Sequence, residues 1–179
     1  EPVFVYFVTM ENTEAGDAMY PNKNLERMRA HHFVLAYDWS ITNNLRLKIE
    51  PYFQALYKVP VVEGTAYSMV NFMSDWTFDK DLTNTGTGTN MGIDLTLERF
   101  LKNGLYFMTT ASLYDSKYTG ADDTKRRTRY DGGYVINLLG GKEWEINDKN
   151  MLSLNLKFTF MGPYWYHPVD LQSTHLEQT

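Results

Sequence analysis

Sixteen residues from Asn44 to Val59, NLRLKIEPYFQALYKV, alternate with a period of two. Leu45, Leu47, Ile49, Phe53, Ala55 and Tyr57 fall on one parity, and Arg46, Lys48, Glu50, Tyr52 and Gln54 on the other. Successive side chains of a strand point to opposite faces, so this run has one apolar face and one charged face. A helix would spread those charges around its circumference. The run is nearly three times as long as a usual strand of about 5–6 residues. A continuous apolar face over that length is what a membrane-spanning barrel requires, at about 9–11 residues per crossing.

The same pattern recurs along the chain. Strands are expected at Pro2–Val8, Arg29–Ile41, Asn44–Val59, Thr89–Leu101, Leu105–Tyr114, Tyr134–Ile146 and Met151–Met161. The last is the cleanest: Leu152, Leu154, Leu156, Phe158 and Phe160 oppose Ser153, Asn155, Lys157 and Thr159. Short turns fall at 42–44, 102–104 and 147–150, where Asn, Asp and Gly tolerate turn geometry. Long connections fall at 9–28, 60–88, 117–133 and 162–179, and TAYSMVNFM in the second is expected to form a short extra strand outside the wall. Alternating short turns and long loops is the pattern of an outer-membrane barrel. Trp39 and Trp144 near the short turns, and Tyr57 and Tyr134 near the long loops, sit where interfacial aromatic girdles belong.

Composition narrows the classes. A net charge of −5 argues against nucleic acid, whose phosphates call for a basic surface. With no Cys, disulfides and thiolate metal sites are excluded. The longest apolar run, Val3–Val8, is too short for a membrane helix. The mean hydropathy of −0.43 looks soluble, yet a barrel with a wet lumen hides its apolar residues by alternation. Residues 1–179 are expected to form one partial barrel segment with neither a plug domain nor a final strand, because seven strands is an odd count and such barrels are even.

Specific stretches carry a resemblance. AHHFVLAYDWSITNNLRLKIEPYFQALYKVPV, GTGTNMGIDLTLERFLKNGLYFMTTASLYDSKY and TRYDGGYVINLLGGKEWEI resemble the barrel of TonB-dependent outer-membrane receptors, most nearly the Bacteroidetes type. In that family a GTG-x-N-x-GID run opens a strand and an R-Y-x-x-x-Y-V-x-N-L-L-G-G-K-E-W run lies toward the C-terminus. The resemblance covers most of residues 29–170. It implies an all-β, antiparallel up-and-down transmembrane barrel of 22 strands, of which this chain supplies about seven. It further implies location in a bacterial outer membrane and uptake of a siderophore, cobalamin, glycan or peptide. The implied partners are outer-membrane lipid, the rest of the barrel and plug, and TonB. A passive porin-like channel and a soluble all-β binding domain are the alternatives.

No enzyme, cofactor or metal site is expected. His31 and His32 are adjacent in a strand, so they point to opposite faces and read as rim residues. None of the four histidines lies in a nucleophile motif. GTGTNMG lacks the Lys-Ser/Thr of a phosphate loop and leads into a strand. Lys125, Arg126, Arg127 and Arg129 read as a solvated loop or as a site for anions. The aromatic residues expected in outer loops, Trp76, Tyr164, Trp165, Tyr166 and His167, are the candidate ligand contacts, since such rings stack on sugars or ligand rings. Arg46, Lys48, Glu50, Glu98, Glu143, Glu145 and Lys157 are expected to face the lumen and to pair across neighbouring strands.

Overall fold

A computed structural model describes residues 11–12, 18–71 and 81–163. The strands are β1 (Glu11–Asn12), β2 (Ala18–Met19), β3 (Arg29–Val34), β4 (Tyr37–Thr42), β5 (Leu45–Val61), β6 (Thr83–Lys102), β7 (Leu105–Thr119), β8 (Lys125–Arg127), β9 (Tyr134–Asn147) and β10 (Asn150–Met161). β1 and β2 pair only with each other; the other eight form one antiparallel sheet ordered β10-β9-β7-β6-β5-β3, with β4 also on β5 and β8 also on β7. The all-β antiparallel expectation is met. Among the described residues the sheet is open, with β10 at one edge and the line of β3 and β4 at the other. The expected first strand, Pro2–Val8, lies outside the described residues.

Several strands outrun their expected bounds. β6 begins at Thr83 rather than Thr89, because the stretch TNTGTG pairs with the end of β5 through Val61–Thr83, Val59–Gly86 and Leu56–Gly88. Glycines hid this extension from an apolar alternation. They are there because β5 fills their space: a Cβ on Gly86 would lie 2.8 Å from the Val59 carbonyl oxygen. β7 continues to Thr119 through polar Asp115, Ser116 and Lys117. The stretch TAYSMVNFM does not form the expected strand; within its described part there is one bridge, Val61–Ser68, and a 3-10 turn at Met69–Asn71.

The expected strand Arg29–Ile41 is split into β3 and β4 at Leu35 and Ala36. Its register is nevertheless continuous, with Val34 opposite Tyr52 and Tyr37 opposite Ile49. Leu35 N donates to the Pro51 carbonyl at 3.1 Å. Pro51 has no N–H to return that bond, so the ladder lapses there without a bulge. The three tight turns join β4 to β5, β6 to β7 and β9 to β10, and therefore lie at one end of the sheet. Asn103 (φ 54) and Gly104 (φ 70) are both left-handed, the requirement of a two-residue hairpin turn whose twist matches the strands.

Two rows across the sheet show its two faces. Trp39, Leu47, Leu97, Thr109, Leu138 and Phe158 are successive register partners on one face. One residue along, Asp38, Lys48, Thr96, Thr110, Asn137 and Thr159 are partners on the other. Nothing among the described residues covers the apolar face. Leu152, Leu154, Leu156, Phe158 and Phe160 each remain 53–55% exposed. Those five half-exposed side chains forgo roughly 4–8 kcal/mol of burial, at about 1.5–3 kcal/mol for each full burial. That is comparable to the whole net stability of a domain, about 5–15 kcal/mol.

The long-loop end is built differently. Lys58 takes φ 55 and opens a bulge, after which Val59, Pro60 and Val61 are buried. Leu82 and Tyr118 join them as the buried apolar residues of the described chain. Residues 20–28 are strapped to this end by Asn84, whose amide donates to the carbonyls of Glu26 and Lys58, both at 2.9 Å, while its oxygen accepts from Glu26 N at 2.7 Å. Leu82 N donates to the buried Asn22 oxygen at 2.8 Å. Apolar burial among the described residues is thus concentrated at the long-loop end of the sheet.

Candidate functional site

On the polar face the sheet forms a cavity of about 830 Å³. Its floor is three consecutive register rows. Glu50, Asp94, Ser112 and Val135 make the first; Tyr52, Gly92 and Tyr114 the second; Gln54, Asn90 and Ser116 the third. Period-two alternation in four neighbouring strands places all of them on one side. The roof comes from the long loops, as Val70, Thr128 and Tyr130. Asn71 ties the two roof segments together by accepting a hydrogen bond from Arg129 N at 3.0 Å.

A chain of hydrogen bonds stiffens the third row. Thr128 Oγ1 donates to Ser116 Oγ at 2.9 Å, Ser116 Oγ donates to the Asn90 oxygen, and the Asn90 amide donates to Gln54 Oε1 at 2.7 Å. Tyr52 lies across Gly92: a Cβ there would meet the Tyr52 hydroxyl at 2.7 Å and its Cζ at 2.8 Å. The absent side chain lets the ring lie flat over the strand, a device that also fixes register. Tyr106 lies over Gly141 in the same way, its hydroxyl donating to Asn155 Oδ1 at 2.6 Å. His32 stands edge-on to Tyr52 at 6.4 Å, while His31 stacks on Tyr57 at 5.1 Å on the opposite face.

Charge is distributed unevenly along the polar face. Toward the short turns, Arg46 Nε donates to Asp38 at 2.8 and 3.1 Å, joining β5 to β4. Lys48 pairs with Glu50 at 2.8 Å within β5. Cross-strand pairing was expected for all the lumenal charges, and among these only Arg46 has it. Lys157, Glu143 and Glu145 have no ion pair among the described residues, since register sets residues other than opposite charges beside them, for instance Ser153 opposite Glu143. Two carboxylates, Glu50 and Asp94, line the cavity from the polar parity, and no Lys or Arg lines it; Asp115 borders it from the opposite parity, in register with Met91.

The basic run resolves into separate roles. Arg126 is held by Asp122 at 2.6 and 2.9 Å, closing the β7–β8 connection. Lys125 and Arg127 project to the face opposite Arg126, beside Thr119 and Lys117. Arg129 lies over the Tyr130 ring at 5.6 Å. The Arg126 hydrogen bonds hold the Asp122 carboxyl below its ordinary range. A depressed carboxyl lends its stability above the unfolded value of about 4, and loses it as pH falls through the lower folded value. Amide protection in residues 124–127 should therefore be flat from pH 5 to 8 and collapse in acid. Hydrogen exchange across that range checks this, and Asp122→Asn should already be unprotected at pH 7.

The candidate ligand contacts Trp76, Tyr164, Trp165, Tyr166 and His167 all lie outside the described residues. Sequence reasoning placed Glu50, Tyr52 and Gln54 on the polar parity but gave them no ligand role. Three tyrosines, Tyr52, Tyr114 and Tyr130, converge on one cavity, and a tyrosine interrupting a charged face was the available signal for the first. Among the described residues no group of three or more His, Cys, Asp or Glu is arranged to hold a metal ion. No family model, curated protein or solved structure matches this chain.

Proposed function

We propose that this chain is part of the wall of an outer-membrane transport barrel, of the TonB-dependent receptor kind, that takes up a ligand across that membrane. The observation that carries this reading is the bare apolar face between two aromatic belts. Leu47, the partner of Trp39, precedes Tyr57 by ten residues, and Tyr134 precedes Trp144 by ten. Ten residues span about 33 Å along a strand. The row through Trp39 reaches β9 at Leu138, six residues short of Trp144. If both tryptophans share one level, six residues of stagger over four strand-to-strand steps of about 4.8 Å correspond to a tilt of about 45°. Barrel closure needs about 35–45°, and at that tilt the belts stand about 25 Å apart, the height of an outer-membrane apolar band.

Long-loop residues Val70, Thr128 and Tyr130 converge with the strand residues on this cavity, which supports a ligand-binding receptor over a passive channel. The 22-strand architecture, the plug and TonB remain implications of the resemblance and belong to this proposal. The test is to express residues 1–179 with and without detergent or lipid. The expected result is aggregation without them, since long apolar-faced edges template further pairing. In vesicles of phospholipids brominated at set depths, single-tryptophan versions keeping Trp39 or Trp144 should both be quenched most at the interface. A monodisperse soluble monomer that melts cooperatively would overturn the reading in favour of a soluble domain.

A further inference from the structure

We propose that the roofed cavity binds a positively charged organic ligand, one carrying amine or guanidinium groups. This rests on the reading of the polar face as the lumen of a receptor and names the class of ligand it would take. Glu50 and Asp94 are direct register partners on β5 and β6, inside the cavity. Their Cβ atoms are therefore about 4.5–5.5 Å apart, a position where like charges destabilise a sheet. Lys48 relieves Glu50 from the short-turn side at 2.8 Å. Asp94 has no ion pair or hydrogen bond to its carboxylate among the described residues, and its partner on β7 is Ser112. The wall keeps this apposition where a threonine would have served strand propensity better.

The remaining surroundings agree in sign. Tyr52 and Tyr114 flank the acidic row one register step toward the roof. A cation attracted by a carboxylate is further stabilised over a tyrosine ring, by about 0.5–2 kcal/mol. Arg129 already uses Tyr130 in this way at the roof. His32 also lines the cavity, from β3. An anionic ligand would meet the carboxylates of Glu50 and Asp94, while the ammonium beside them, on Lys48, is already engaged by Glu50. At about 830 Å³ the cavity is in the range of small-molecule and short-peptide sites.

The experiment uses the full chain in detergent micelles at pH 8, with trilysine as probe and triglutamate and triglycine as comparators, measured by calorimetry. Trilysine should bind, more weakly at 200 mM than at 20 mM salt, and the other two should not. Asp94→Asn should weaken trilysine at least tenfold while its melting temperature stays level or rises, because a like-charge apposition has gone. Ser112→Lys, which sets an ammonium beside Asp94, should abolish binding. Equal binding of triglutamate, undiminished binding by both variants, or a drop in melting temperature for Asp94→Asn would overturn the proposal. A chain that folds only in lipid or detergent yet ignores trilysine refutes this inference alone. One that is a soluble monomer and binds trilysine through Asp94 refutes the barrel reading alone.

Discussion

Leu156→Arg should be the most damaging single substitution on the apolar face, costing about 2–4 kcal/mol of stability in lipid. The site follows from the belts. Leu156 pairs with Gly140, midway between the Trp144 and Tyr134 levels, and Ile93 occupies the matching depth on β6 opposite Pro51. Leu154 also projects from this face but lies closer to the short turns, opposite Lys142, whose ammonium donates to the Asn103 carbonyl at 2.6 Å. In the barrel reading, that ammonium reaches toward the short-turn boundary as long cationic side chains do at a membrane surface. Ile41→Arg, beside the first turn, should cost only about 0–1 kcal/mol. Urea unfolding in vesicles measures the gradient. Equal costs at Leu156, Leu154 and Ile41 would remove the depth scale and with it the membrane reading.

Gly92→Ala should cost about 1–3 kcal/mol, the usual range for forcing atoms into a filled site. The added Cβ would sit 2.6 Å from the Leu113 carbonyl oxygen and 2.7–2.8 Å from the tip of Tyr52. The ring has to leave, and the cavity floor changes shape with it. Combining Gly92→Ala with Tyr52→Ala separates the two clashes. If the ring is the main obstacle, the double variant should be more stable than the sum of the singles implies, by about 0.5–3 kcal/mol of coupling. Additive losses in unfolding midpoint would instead place the whole conflict on the β7 backbone.

Much of the sheet was legible because alternation is a property of single strands. Leu45, Leu47 and Ile49 against Arg46, Lys48 and Glu50 announce a face without any knowledge of neighbours. The three short turns were legible for the same reason, since Asn and Gly meet local dihedral demands, as Asn103 and Gly104 do. The first stretch of β6 was not. Thr83–Gly88 has no apolar face of its own, and its place in the sheet is set by Val59 and Val61 filling the space over Gly86. The break between β3 and β4 was equally hidden, because the missing N–H that causes it belongs to Pro51 on another strand.

The candidate site divides along the same line. The sequence by itself determined the parity of Glu50, Tyr52 and Asp94, because side chains on an extended backbone can only alternate. Only the tertiary structure decided that Glu50 meets Asp94 across β5 and β6, that Tyr52 covers Gly92, and that loops bring Thr128 and Tyr130 over them. Register is a pairwise quantity, fixed jointly by bulges such as the one at Lys58 and by which residues can be absent so that others fit. A single chain read in order carries one half of each such pair, and the chemistry of the polar face resides in the pairs.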